Sequence, residues 1–364
     1  MESMVLTLSL LAAPALSPAA NVTAVTTTSV EVAFVLDTTG SMGGLIDGAK
    51  RRIWSIARRI GEGKPRPDLR IALVGYRDTG DAYVTRVHDL TGDMDEVYRN
   101  LTAFVADGGG DTPEHVSAAL HDAVHRVSWS QGPALRMIFL VGDAPPHVDY
   151  QDGFDYRRHA REARARGIVV ETIECGPDPV TARYWQEIAS IGEGHYVRID
   201  GQGGMPAKVT PVDAELAKLN GELGTTVVAG GSVAERADAD AKLASRAAMP
   251  SAMAAEAAGY FAKAERLAQK DLVDLPVAEQ KKEVETLRKN AVAPQAIAGK
   301  TDAEALAYLS AQKEKRTKLQ ARIEELQKQR DTFLRSQGDD AKDAFDQQVV
   351  ESLKAKAATH GIRY

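Results

Sequence analysis

Val32-Ala-Phe-Val-Leu-Asp-Thr-Thr-Gly-Ser-Met-Gly-Gly44 decides how the first half of this chain is read. A run of β-formers stops at Asp37, hydroxyl residues follow at Thr39 and Ser41, and two glycines lead into Leu45, Ala49, Ile53, Ile56 and Ile60, which fall at helical spacing. The order is strand, tight turn, amphipathic helix. Asp37 then stands at the carboxyl end of a strand, and two hydroxyls spaced by two on a bent loop can point the same way. One carboxylate and two hydroxyls make an oxygen donor set of the kind that Mg²⁺, Mn²⁺ or Ca²⁺ requires. The same residue types also serve as ordinary turn and helix-capping residues, so this fragment alone leaves both readings open.

Working outward, the alternation continues to about Arg198. Val30–Leu36, Leu69–Gly75, Met137–Val141, Ile168–Ile173 and His195–Ile199 read as strands, mostly continuous apolar runs suited to a sheet covered on both faces. The shorter, more polar Tyr83–Val87 reads as an edge strand. Val116, Leu120, Ala123 and Val127 mark a further helix, and another opens after Pro179. Strands alternating with helices of this length imply right-handed crossovers and an α/β fold with a doubly wound, mainly parallel sheet. In such a sheet ligands bind beyond the carboxyl ends of the strands.

Two distant fragments reach toward that same edge. In Gly108-Gly-Gly-Asp-Thr-Pro-Glu-His115 a glycine loop leads to a helix, with Thr112 as the expected cap and Pro113 in the first turn. In Met137-Ile-Phe-Leu-Val-Gly-Asp-Ala-Pro-Pro-His147 a second strand ends at a carboxylate, Asp143. If these two strands are neighbours in the sheet, Asp37, Thr39, Ser41, Thr112 and Asp143 meet at one edge. Asp111 and Glu114 flank Thr112, where acidic residues favour a helix dipole without binding a metal. His115 and His147 are placed at the rim.

Together these three motifs resemble the von Willebrand factor type A domain and its metal-ion-dependent adhesion site, across roughly residues 29 to 200. Asp37-Thr-Thr-Gly-Ser41 is similar to the family's Asp-x-Ser/Thr-x-Ser signature, Thr112 to its threonine and Asp143 to its last aspartate. The resemblance implies a Rossmann-like fold and a divalent cation, Mg²⁺ first and Mn²⁺ or Ca²⁺ as alternatives. It implies that Ser41 and Thr39, with Thr112 in some states, coordinate directly, and that Asp37 and Asp143 act directly or through water. A partner protein's Asp or Glu carboxylate would complete the shell, and the chain would be a binding module, not an enzyme. The alternative is a metal-assisted hydrolase using the same cation, with His147 or His115 as base.

The remainder of the chain sets the context. Hydrophobic residues make up 44% and charged residues 26%, as in soluble globular proteins, and a net charge of -6 gives no reason to expect a nucleic-acid partner. The single cysteine, Cys175, excludes an intrachain disulfide and reads as a small buried residue. Residues 1–28 hold a short apolar run and then small residues, which reads as an export signal to the periplasm or medium, the alternative being a disordered cytosolic tail. No segment makes a firm membrane span. Residues 29–228 form the α/β unit, and 229–364 are rich in Ala, Glu, Lys and Arg and read as helices. Leu309, Gln312, Arg316, Leu319, Ile323, Leu326, Arg330 and Phe333 keep a four-three spacing, which allows a helical hairpin or a weak oligomerising coiled coil with polar interruptions. His121-Asp-Ala-Val-His125 sets two imidazoles one helical turn apart, yet Asp122 stands where a zinc protease needs Glu, and the sequence offers no evident third ligand.

Overall fold

Strand β1 (Ser29–Asp37) is the central strand, hydrogen-bonded on both sides and buried along almost its whole length. The structure is a computed structural model that describes residues 29–201, 209–290, 292–337 and 345–364, so the expected export signal lies outside the described residues. After β1 come α1 (Gly43–Ile60), β2 (Asp68–Tyr76), β3 (Thr85–Thr91), α2 (Met94–Thr102), α3 (Val116–His125) and β4 (Ala134–Gly142). There follow α4 (Tyr156–Ala165), β5 (Ile168–Cys175), α5 (Pro179–Ile191) and β6 (Glu193–Ile199). The rest is helical: α6 (Asp213–Gly224), α7 (Val233–Ala247), α8 (Ser251–Ala262), α9 (Val277–Lys289), α10 (Gln295–Ala298), α11 (Asp302–Ser336) and α12 (Phe345–Ala357).

The strand order is β3-β2-β1-β4-β5-β6, parallel except for the antiparallel edge strand β3. This is the mainly parallel α/β sheet expected from the alternation, and β1 and β4 are neighbours, running in register from Ser29 opposite Ala134 to Leu36 opposite Val141. The edge strand starts at Thr85, not Tyr83. Tyr83 is held instead by its phenol, 2.7 Å from the Thr38 hydroxyl, and by the guanidinium groups of Arg77 and Arg86 over its ring.

Alternate residues of the strands face two cores. Ala33, Val35, Val74, Ile138 and Leu140 pack under α3, α4 and α5. On the other face Phe34, Leu36, Leu73, Met137 and Phe139 pack against α1 and α2, and against residues of α6, α8, α11 and α12. Trp54 of α1 is the buried hub of this second core, with the rings of Tyr98, Tyr260 and Phe261 5.2–5.8 Å away. The helical region beyond residue 228 therefore supplies part of the sheet's cover. Phe345, Val349, Val350 and Leu353 of α12 lie in the same core as the strands.

The four-three seam of α11 is used within the chain. Leu309 packs with Leu272, Val284 and Leu287, while Ile323 and Leu326 enter the larger core. The polar interruptions at Arg316 and Arg330 are buried ion-pair anchors. Arg316 donates to Asp271 at 2.6 Å and also bonds Asp274, and Arg330 donates to Asp213 and Glu256, each at 2.8 Å. Among the described residues, no helix is long and apolar enough to cross a membrane.

Candidate metal centre at the sheet edge

The carboxyl ends of β1 and β4 form the floor of the site. After Asp37 the ladder closes through the Thr38 amide, which donates to the Tyr76 carbonyl at 2.9 Å, and the chain turns away. Asp37 is fully buried, and its Oδ1 accepts from the Thr39 amide at 2.9 Å and the Thr39 hydroxyl at 2.6 Å. That local bond fixes the turn and holds the Thr39 hydroxyl 3.4 Å from that of Ser41. The other oxygen of Asp37, Oδ2, is buried and has no hydrogen-bond partner.

On the neighbouring strand, Gly142 makes room for this carboxylate. A Cβ there would lie 3.1 Å from Asp37 Cβ and would press on the Tyr76 hydroxyl. The next residue, Asp143, is half-buried and is bonded by the Ser41 hydroxyl. The structure thus brings Asp37, Thr39, Ser41 and Asp143 together.

Thr112 lies on the exposed rim of the loop that spans these two strand ends. The loop itself is pinned close by: the Gly40 amide donates to the Gly108 carbonyl at 3.2 Å, and a Cβ on Gly109, whose φ is +83°, would stand 3.3 Å from Thr39 Cβ. Thr112 does not cap α3. That helix begins at Val116 and its cap is His115, whose Nδ1 accepts from the Ala118 amide at 3.3 Å. Pro113 and Glu114 consequently lie outside the helix, because Glu114 is engaged with the loop after Asp143. Its amide donates to Pro145 O at 2.9 Å and its carbonyl accepts from His147 N at 3.1 Å.

This pairing turns Glu114 inward, where it is buried with Oε2 unpartnered. In the sequence, Glu114 reads as a first-turn acidic residue that favours a helix dipole. No spacing rule could have found it, since its position follows from pairing between two loops.

Charge accumulates here. Burial pushes the Asp37 carboxyl up to about 7, the two Thr39 bonds oppose this, and Asp143 raises it again. Glu114 is pushed up to about 9, by burial and then by Asp37, Asp78, Asp81 and Asp143. Burial also raises Asp143, with the Ser41 hydroxyl pulling the other way. Arg77 sits nearby, but its Nε and Nη2 donate to the backbone carbonyls of Thr38 and Val105 at 3.1 and 2.8 Å. Several buried carboxylates facing one another are stable only if protons or a cation neutralise them.

Both rim histidines contact groups beside the site, and His147 Nε2 is buried without a hydrogen-bond partner. His115 uses Nδ1 as the helix cap and places Nε2 2.8 Å from Asp152. His147 stacks on Tyr150 with ring centres 4.0 Å apart, its Nδ1 2.8 Å from Asp149 and its Nε2 3.4 Å from Asp78.

Comparison with known proteins agrees with this architecture. Residues 31–173 match the family model of the von Willebrand factor A domain. Over 123 residues the chain is 39% identical to von Willebrand factor A domain-containing protein 7 of Rattus norvegicus, which covers 33% of this chain and 12% of that protein. Over 177 residues it is 30% identical to hemicentin-2 of Mus musculus, covering 47% of this chain and 3% of that protein. Among solved structures, proximal thread matrix protein 1 from the mussel byssus, with a zinc-occupied site of the metal-ion-dependent adhesion type, is similar at a TM-score of 0.39 and 16% identity, over 47% of this chain and 42% of that one. Sheet order, strand-end motifs and sequence match converge on one conclusion: the chain carries a von Willebrand factor A domain across residues 31–173.

Proposed function

We propose that this chain is a non-enzymatic, metal-dependent protein-binding module that captures an Asp or Glu carboxylate of a partner protein. Asp37, Thr39, Ser41, Thr112 and Asp143 would hold a divalent cation, Mg²⁺ first and Mn²⁺ or Ca²⁺ by the same oxygen chemistry. The observation that carries this is Asp37 Oδ2, a buried carboxylate oxygen with no partner beside two hydroxyls and a second carboxylate. An orphaned buried acceptor costs about 1–3 kcal/mol, more when charged, so such a group marks a place where something else binds. Bound there, a divalent cation would supply the missing positive charge and a coordination position open to an incoming carboxylate.

The chain's own residues divide the work. Thr39 holds Asp37 in its rotamer, Ser41 ties the turn to Asp143, and exposed Thr112 stands on the side from which a partner arrives. Glu114, buried and unpartnered at Oε2, would accept a water or proton behind the cation. Residues 29–228 would form the binding unit and 229–364 its support, in a protein exported to the periplasm or medium.

The test is calorimetry of Mg²⁺ binding to the full chain, compared with Asp37→Ala and Ser41→Ala. Loss of binding in both is expected. Undiminished Mg²⁺ binding in the double variant would remove the site, and equal partner capture in Mg²⁺ and in EDTA would remove the mechanism.

A further inference from the structure

Away from the sheet edge, the structure supplies what the two histidines of α3 lack in sequence. α4 packs beside α3 and brings His159 and Glu162 to the same patch. His125 Nε2 lies 2.8 Å and His159 Nδ1 2.9 Å from the same oxygen, Glu162 Oε2, and one ligand atom of each residue falls within 4.8 Å of the others. The His121 ring stands 4.8 Å from that of His125 and 5.0 Å from that of His159. We propose that His125, His159 and Glu162 form a second metal site, for a transition ion of the zinc class, with the fourth position taken by water or by His121.

The donor chemistry separates this site from the one at the sheet edge. Two imidazole nitrogens and one carboxylate favour Zn²⁺ or its neighbours over Mg²⁺, whereas the oxygen set at Asp37 also suits Mg²⁺, Mn²⁺ or Ca²⁺. Tetrahedral donors 2.0–2.1 Å from an ion lie about 3.3 Å apart, so each histidine–Glu162 contact would open by about half an ångström, and the two imidazole nitrogens, within 4.8 Å of each other, would settle to the same spacing.

Both imidazole protons now point at Glu162. Arg166 donates to His125 Nδ1 at 3.0 Å, and Arg158 lies 3.4 Å from His159 Nε2. On metal binding each ring keeps one proton and moves it to the nitrogen facing the arginine. Arg158, which also lies 3.6 Å from Glu162 Oε1, and Arg166, whose Nη1 donates to the Val124 carbonyl at 2.7 Å, must then give up these contacts and swing toward solvent. Asp122 accepts from Thr85 at 2.5 Å and Arg126 at 2.8 Å, and its Oδ1 lies 2.9 Å from His121 Nδ1, so it orients that ring and leaves Nε2 as its available donor. The site would fasten α3 to α4.

The experiment titrates Co²⁺, then Zn²⁺, into the untagged full chain with Mg²⁺ in excess, reading the visible absorption of four-coordinate Co²⁺. One equivalent should bind, be displaced by Zn²⁺ and persist in Asp37→Ala. Removing a ligand by His125→Ala or Glu162→Gln, both at accessible positions, should weaken it about 100-fold while circular dichroism stays unchanged. Absence of a Co²⁺ band, binding undiminished in the two ligand variants, or binding lost in Asp37→Ala and competed away by Mg²⁺ would each overturn the proposal. Survival in Asp37→Ala keeps its outcome separate from that of the sheet-edge site.

Discussion

Phe345 of α12 lies against Phe34 of the central strand, their ring centres 6.0 Å apart. More than 300 residues of sequence separate them, and they share one core. Replacing Phe345 by Ala should cost about 3–5 kcal/mol, as for large buried aromatics. Urea unfolding of the full chain checks this. A chain cut after residue 228 should bind hydrophobic dyes and lose cooperative unfolding, because the face formed by Phe34, Met137 and Phe139 opens to water. Cooperative unfolding at full-length stability would show instead that the sheet unit stands alone.

The buried arginines of α11 give a second outcome. Arg316→Ala leaves Asp271, already raised by burial and relieved chiefly by Arg316, without its partner. Stability should fall by about 3–5 kcal/mol. Lys318→Ala, on the exposed side of the same helix, should change it by no more than about 0.5 kcal/mol. Equal effects in both variants would contradict the assigned burial.

Thr112→Ala tests the binding edge without disturbing the fold. The residue is exposed and caps no helix, so stability should stay within about 0.5 kcal/mol of the parent. Metal-dependent capture of an acidic partner should be lost. Full capture by this variant in EDTA would move the binding surface elsewhere.

Protons and metal compete at Asp37. Its folded value, about 7, exceeds the ordinary carboxylate value of 3.8, so in chelator the folded state holds a proton that the unfolded state has released. Stability from this group is therefore present below about pH 4 and is lost as pH rises toward about 7. Asp37→Asn should flatten that part of the melting-temperature profile, and Mg²⁺ affinity should rise with pH up to about 7. An affinity independent of pH between about 5.5 and 8 would mean that Asp37 does not bind the ion.

A methyl group at Gly142 should act on both strand ends. Gly142→Ala forces apart Tyr76 and Asp37, at a cost of about 1–3 kcal/mol, and should weaken Mg²⁺ binding together with stability. Stability lost with Mg²⁺ affinity intact would separate the packing of β4 from the geometry of Asp37.

Local chemistry made much of this molecule legible. The apolar run ending at Asp37, the turn with Thr39 and Ser41, and the second run ending at Asp143 marked two strands and their polar ends, because each depends on spacing within about a dozen residues. The alternation with helices gave the mainly parallel sheet, and that Asp37 and Asp143 meet followed from β1 and β4 being neighbours. The tertiary structure alone decided the rest. Glu114 turned inward because its backbone pairs with the loop after Asp143, and Thr112 lost the cap to His115 for the same reason. Arg316 and Arg330 looked like flaws in a helical seam until folding brought Asp271, Asp274, Asp213 and Glu256 to them. His121 and His125 lacked a third ligand until α4 supplied His159 and Glu162. Side-chain spacing along one element is fixed by backbone geometry and can be read from the chain. Whether a buried charge is tolerable depends on which distant charge arrives beside it, and only packing determines that.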